Sequence, residues 1–208
     1  MAESAFYKPE SRAQATAAVK AIESQPAAEI VVALRKSSGY YRAADFLCGA
    51  LVAMAALAAM LLVSKSFRLW AVPLDLVVAF AVGAFVCSSS PSLRRLLTRP
   101  SRRREFVRGA AKAAFVDLGI SRTSGRWGVL VFLSMLERDA EVVPDSGIDL
   151  AAMGEEWTAA VSALRAAVAR MDFALFHEKL LALGPLLGKA HPRRDDDVNE
   201  LPDEVSAS

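Results

Sequence analysis

Two long apolar runs constrain the fold of this chain more than any other feature. Phe46 to Val63 is eighteen residues without a charge, and Leu69 to Val86 is eighteen residues with a single charge, Asp75. Runs of this length match a bilayer-crossing helix, and neither has the polar stripe of a helix that borders a soluble core. The mean hydropathy of +0.30 is also high for a soluble protein. The sequence therefore predicts a two-helix transmembrane hairpin over residues 43–93.

Asp75 has two interpretations. An intramembrane carboxylate often binds a proton or a cation. Alternatively, Pro73 begins the second helix and Asp75 lies in its first turn, near the lipid headgroups, where the helix dipole favours a negative charge. The position of Pro73 favours the second interpretation.

Basic residues flank the hairpin and predict its orientation. The second span is followed directly by a basic cluster, which comprises Arg94, Arg95, Arg99, Arg102, Arg103 and Arg104. The positive-inside rule predicts a multi-pass protein of the bacterial inner (cytoplasmic) membrane, with both termini and the soluble domain facing the cytoplasm. We interpret the cluster as a membrane-surface site for anionic lipid rather than for nucleic acid, so membrane lipids are expected partners.

The polar remainder alternates between helical and strand patterns. Residues 9–24 predict a helix and Glu29–Arg35 a buried strand. After the basic cluster come an amphipathic helix ending at Gly119, two strands joined by a tight turn at LERD, and two helices. Together they predict an α/β sandwich, with a small central sheet between helices, formed by residues 9–41 and 100–190. The acidic tail, 191–208, is predicted to be disordered.

The order of these elements resembles the TPM domain family. The resemblance is carried by EIVVALR, by AAKAAFVDLGISRT and by GVLVFLSMLERDAEVVPDSGI, and it covers about residues 10–190. The membrane-embedded subgroup, with transmembrane helices inside or beside the domain, is the most similar, and the closing NELPDE also resembles it. The resemblance implies an α/β sandwich with a central sheet between helices.

The family also implies three kinds of function. Some members bind calcium through loop carboxylates, and a plant thylakoid-lumen member has been assigned a weak acid phosphatase activity. Others assist photosystem repair, receptors or respiratory assembly without known chemistry. This chain departs from the family pattern after the third strand, where PDSGID replaces the usual Gly-aromatic-Gly turn.

The stretch LERDAEVVPDSGID is the candidate binding site. It holds five carboxylates in fourteen residues, namely Glu137, Asp139, Glu141, Asp145 and Asp149. Calcium takes about six to eight oxygen ligands. Asp145 and Asp149 lie in the loop after the third strand and, with Glu141, are the candidate calcium ligands. The alternative is a solvated hairpin edge whose charges discourage pairing with other strands, and the small ligand count favours it.

No catalytic residue is predicted. Cys48 and Cys87 fall inside the predicted hairpin, and no metal-binding histidine set or phosphate loop appears. The first hypothesis is a non-catalytic interaction or assembly module with membrane or cytoplasmic protein partners. The alternatives are a calcium-binding module and a weak membrane-bound acid phosphatase. Small residues in the first span, such as Gly49 and Ala53, allow close helix packing within one chain or in a homo-oligomer.

Overall fold

The computed structural model describes residues 3–24, 28–62, 68, 70–123, 125–190, 192 and 206–207. The chain forms two compact units, one from residues 39–103 and the other from the segments on either side of them. Most of the predicted disordered tail, 191–208, lies outside the described residues.

The helices and strands follow the predicted order, with some additions. They are α1 (Glu3–Tyr7), α2 (Pro9–Glu23), β1 (Glu29–Arg35), α3 (Arg42–Leu62), α4 (Val72–Ser89), α5 (Pro91–Leu97), α6 (Pro100–Asp117), a 3-10 turn (Ile120–Arg122), β2 (Gly128–Ser134), β3 (Asp139–Pro144), α7 (Leu150–Ala169), α8 (Phe173–Leu181), α9 (Leu183–Ala190) and β4 (Ser206–Ala207).

The larger unit is built on a small mixed sheet with strand order β3-β2-β1-β4. β1 and β2 pair in parallel along their whole length, from Glu29 opposite Gly128 to Arg35 opposite Ser134. β3 returns antiparallel to β2 through a four-residue turn at 135–138, one residue before the predicted turn at LERD, 136–139. Among the described residues β4 comprises Ser206 and Ala207, which pair in parallel with the outer edge of β1.

Each face of the sheet carries its own apolar core. Ile30, Val32 and Leu34 of β1 face one cluster, which also receives side chains from α2, α7, α8 and α9. The alternate residues, Val31 and Ala33, pack with the buried face of α6. A strand that is covered on both faces has no polar alternation, which explains the continuous apolar run of β1. The predicted mixed α/β architecture is therefore confirmed.

Prolines account for two departures from the predicted elements. The basic cluster is divided between α5 and α6, because Pro100 disfavours helical backbone at the residue before it. The last predicted helix is divided at Ala182 into α8 and α9. Pro185, in the first turn of α9, lacks the N–H that a continuous helix would use and would clash with the carbonyl of Leu181.

The smaller unit contains the hairpin. α3 and α4 are long and apolar enough to cross a membrane, and their most apolar stretches are only 6% and 11% buried. Two glycines allow the helices to pack closely. A Cβ added to Gly49 would lie 2.8 Å from the carbonyl oxygen of Phe80, and one added to Gly83 would lie 2.8 Å from Cβ of Val52. Asp75 lies in the first turn of α4, as the position of Pro73 predicts.

Candidate functional site

The first carboxylate of the acidic stretch, Glu137, is held where β1 and β2 end. Its side chain is 4% exposed. One carboxylate oxygen accepts a hydrogen bond from the hydroxyl of Ser134, and the other accepts one from the backbone N–H of Ser38 at 2.9 Å. The two serine hydroxyls are 2.6 Å apart. Hydrogen bonds to a charged acceptor offset the cost of burying it, so Glu137 fastens the turn after β2 to the segment after β1.

The next two carboxylates join β3 to helices on both sheet faces. Arg165 of α7 binds Asp139 with both ends of its guanidinium, Nε to Oδ1 at 3.0 Å and Nη2 to Oδ2 at 3.2 Å. Arg104 of α6 lies 3.8 Å from the same carboxylate, and Arg108 lies 3.6 Å from Glu141. Bidentate pairs of this kind fix orientation as well as contributing energy, so β3 is aligned between α6 and α7.

Asp149 serves as a helix cap. Its Oδ1 accepts a hydrogen bond from the backbone N–H of Ala152 at 3.0 Å, at the start of α7. A capping side chain satisfies one of the N–H groups that the first turn of a helix leaves unpaired. The carboxylate of Asp149 therefore has a local structural partner.

Asp145 differs from the other four carboxylates. It is 8% exposed, and its Oδ1 accepts a hydrogen bond from the backbone N–H of Ser146 at 2.6 Å. Its Oδ2 is buried and has no hydrogen-bond partner among the described residues. The surrounding loops are tightly packed, because a Cβ on Gly147 would lie 2.5 Å from the carbonyl oxygen of Gly125 and 2.6 Å from that of Arg126. An orphaned buried carboxylate oxygen is costly and calls for an explanation.

The structure does not bring the three candidate calcium ligands together. Glu141 forms an ion pair with α6, Asp149 caps α7, and Asp145 bonds within its own loop. Within the part of the chain that the structure describes, no three His, Cys, Asp or Glu side chains are grouped to hold a metal ion. Calcium binding stays a prediction, and it now depends on Asp145 with backbone oxygens rather than on three carboxylates.

The basic cluster is also divided by its contacts. Arg94 donates to Asp45 with Nε at 2.9 Å and Nη2 at 2.8 Å, and Asp45 is 8% exposed. This hydrogen bond raises the pKa of Arg94, and partial burial opposes the rise. Arg95 donates to the hydroxyl of Ser92 at 3.1 Å. Of the other members, Arg103 and Arg104 are half-buried, and Arg99 and Arg102 are exposed.

Sequence reasoning missed the pair between Asp45 and Arg94. Asp45 precedes the first predicted span by one residue, and Arg94 is the first basic residue after the second span. In an antiparallel hairpin these two positions meet at the base, so the signal was present in the spacing. The pair holds α5 against the first turn of α3. One of the arginines predicted to contact anionic lipid is therefore bound to a carboxylate of the protein.

No family model and no curated protein matches this chain. The BA42 protein of the psychrophilic bacterium Bizionia argentinensis, solved by NMR, is similar in structure with a TM-score of 0.57. The alignment covers 97% of this chain and 94% of that chain at 15% sequence identity. At this identity the likeness shows a shared fold alone.

We expect Asp45→Ala to destabilise the hairpin by about 2–3 kcal/mol, because it leaves the partly buried guanidinium of Arg94 without its charged acceptor. Unfolding of the purified protein in mixed micelles with increasing SDS measures the change. The exchange variant, Asp45→Arg with Arg94→Asp, restores an ion pair and should recover part of the loss. Equal stability of Asp45→Ala and the native chain would contradict a role for this pair.

Proposed function

We propose that this protein is a non-catalytic interaction or assembly module anchored in the inner (cytoplasmic) membrane of a bacterium. The observation that carries the proposal is the exposure of large apolar side chains along α3 and α4. They include Phe46, Leu51, Met54, Leu61, Leu74, Val77, Val78 and Phe85. Apolar surface of this extent marks a membrane or partner interface rather than a water-facing surface. In this proposal the hairpin crosses the bilayer twice.

The acidic stretch supports a non-catalytic role for the larger unit. All five of its carboxylates accept hydrogen bonds, form ion pairs or cap a helix within the α/β unit. Such contacts stabilise a strand and its turns, and they orient the carboxylates toward protein groups. We assign this unit to the TPM-like sandwich that the sequence resembles, and its partners to membrane or cytoplasmic proteins.

Charge supports an orientation with the α/β unit in the cytoplasm. Arg99 and Arg102 are exposed just after the hairpin, whereas the short connection between the spans carries only Lys65 and Arg68. Loops rich in basic residues are retained on the cytoplasmic side. Exposed arginines close to the membrane attract anionic lipid by about 1 kcal/mol each.

Labelling of single added cysteines with a membrane-impermeant maleimide tests the anchoring and its direction. Trp70→Cys should be labelled in intact spheroplasts, and Gly109→Cys should be labelled only after lysis. Gly109 is a suitable position because a Cβ there meets no atom within 4 Å. The native chain, which retains Cys48 and Cys87, gives the background. Labelling in the reverse pattern would contradict the orientation, and release of the protein by carbonate would contradict the anchoring.

Divalent-cation binding is the second candidate function, and the orphaned Oδ2 of Asp145 favours it. This buried oxygen has no hydrogen-bond partner among the described residues, and the carbonyl oxygens of Gly125 and Arg126 pack against Gly147, two residues along the loop from Asp145. Calcium binds carboxylate and carbonyl oxygens in flexible geometry. A cation held there would satisfy the oxygen that the protein leaves unpaired.

Thermal melting with added calcium tests this candidate. A hundredfold excess over Kd should stabilise the native chain by about 2.7 kcal/mol, and Asp145→Asn should abolish the shift. Asp149→Asn is the matched control, because asparagine also caps helices well and the shift should persist. No shift with calcium, magnesium or manganese would contradict the cation site.

The acid phosphatase hypothesis stays a prediction of the family resemblance, and no contact among the described residues favours it.

A further inference from the structure

The proposed function leaves the outer edge of β1 unused. On its inner side β1 pairs with β2 over seven residues. Among the described residues it pairs on its outer side with β4 at two positions, Ala33 opposite Ser206 and Leu34 opposite Ala207. Unpaired edge groups are a template for another extended segment, and proteins usually block or cover them.

The first half of this edge is closed by a side chain. The backbone N–H of Glu29 donates toward β2, to the carbonyl of Trp127 at 3.2 Å. Successive backbone groups of a strand point to opposite sides, so the N–H of Ile30 points outward. It donates to Oε1 of Glu23, at the end of α2, at 3.1 Å. A strand docking on this edge is therefore limited to the second half of β1, where Ser206 and Ala207 pair.

The second half of the edge is covered by the chain itself. Ser206 and Ala207 have small side chains, and Ser206 is exposed. Strand addition depends on main-chain hydrogen bonds, and the side chains of the added strand only select among candidates. β4 therefore demonstrates that this edge accepts a parallel extended segment of small residues.

We propose that the edge at Val32–Leu34 is a docking site for a short extended segment of a partner protein, and that Ser206 and Ala207 occupy it within the chain. The partner segment runs parallel to β1 and carries small residues at the two paired positions. Beyond them the edge ends at two exposed cations, Arg35 and Lys36. A carboxylate that follows the paired residues is therefore favoured in the partner.

Occupation within the chain makes docking competitive. A tethered segment acts at an effective concentration of about a millimolar, so a partner present at micromolar levels docks only when β4 leaves. This inference rests on the proposed function as an interaction module. It adds the class of partner and a way in which the chain itself limits partner binding.

The test uses the full chain in detergent and a fluorescent peptide that copies residues 199–208. Ser206→Pro with Ala207→Pro removes the N–H donors of β4 and should free the edge. This variant should bind the peptide at least about tenfold more tightly than the native chain, given that effective concentration. The matched variant, Ser206→Val with Ala207→Val, favours a strand and should bind the peptide no better than the native chain.

Two further measurements locate the docking site and test whether the peptide binds by main-chain hydrogen bonds. Peptide binding should slow hydrogen exchange at residues 32–34, and a peptide with proline at both paired positions should not bind. Similar affinities for the two protein variants, or binding of the proline peptide, would overturn the docking site. Failure of peptide binding leaves the maleimide result for membrane anchoring untouched, so the two proposals fail separately. Thermal melting of each variant confirms that the α/β unit is folded.

Discussion

The parallel pairing of β1 with β2 is the interaction on which the α/β unit depends. Seven residue pairs align two strands that are buried on both faces, and each face receives its own set of helices. Parallel neighbours need a long crossover, and in this chain the crossover contains the apolar hairpin as well as α6. The same pairing places the ends of both strands beside Glu137, whose carboxylate is compensated by hydrogen bonds from both segments.

Buried charge follows one rule in both units. Asp139 is bound by arginine from α7, Glu141 lies beside an arginine of α6, and Asp45 at the base of the hairpin is bound by Arg94. A carboxylate removed from water is costly unless it is paired or hydrogen-bonded. Most carboxylates of the acidic stretch have such partners, either backbone and serine groups nearby or arginines on α6 and α7. Asp145 is the exception, because one of its carboxylate oxygens has no hydrogen-bond partner among the described residues. It is therefore the candidate cation ligand of the stretch.

Local features were predictable because their causes are local. β1 occupies the predicted residues, Gly119 ends α6 in a left-handed conformation, and the turn after β2 begins one residue before the predicted LERD. Contacts between Asp45 and Arg94 or between Asp139 and Arg165 join residues far apart in the chain. They depend on how helices and strands pack, which periodicity does not specify. Pro185 is a local signal for the division at Ala182. The apolar repeat continues across this proline, however, and so it predicts one continuous helix.

The central claim is that α3 and α4 form a hairpin whose outer surface faces lipid. Spin labels at Leu51, Val78 and Phe85, all more than half exposed, test it most directly in reconstituted bilayers. The account predicts high accessibility to oxygen and low accessibility to a water-soluble nickel chelate at all three positions. High nickel accessibility at these positions would place the helices outside the bilayer and contradict the account.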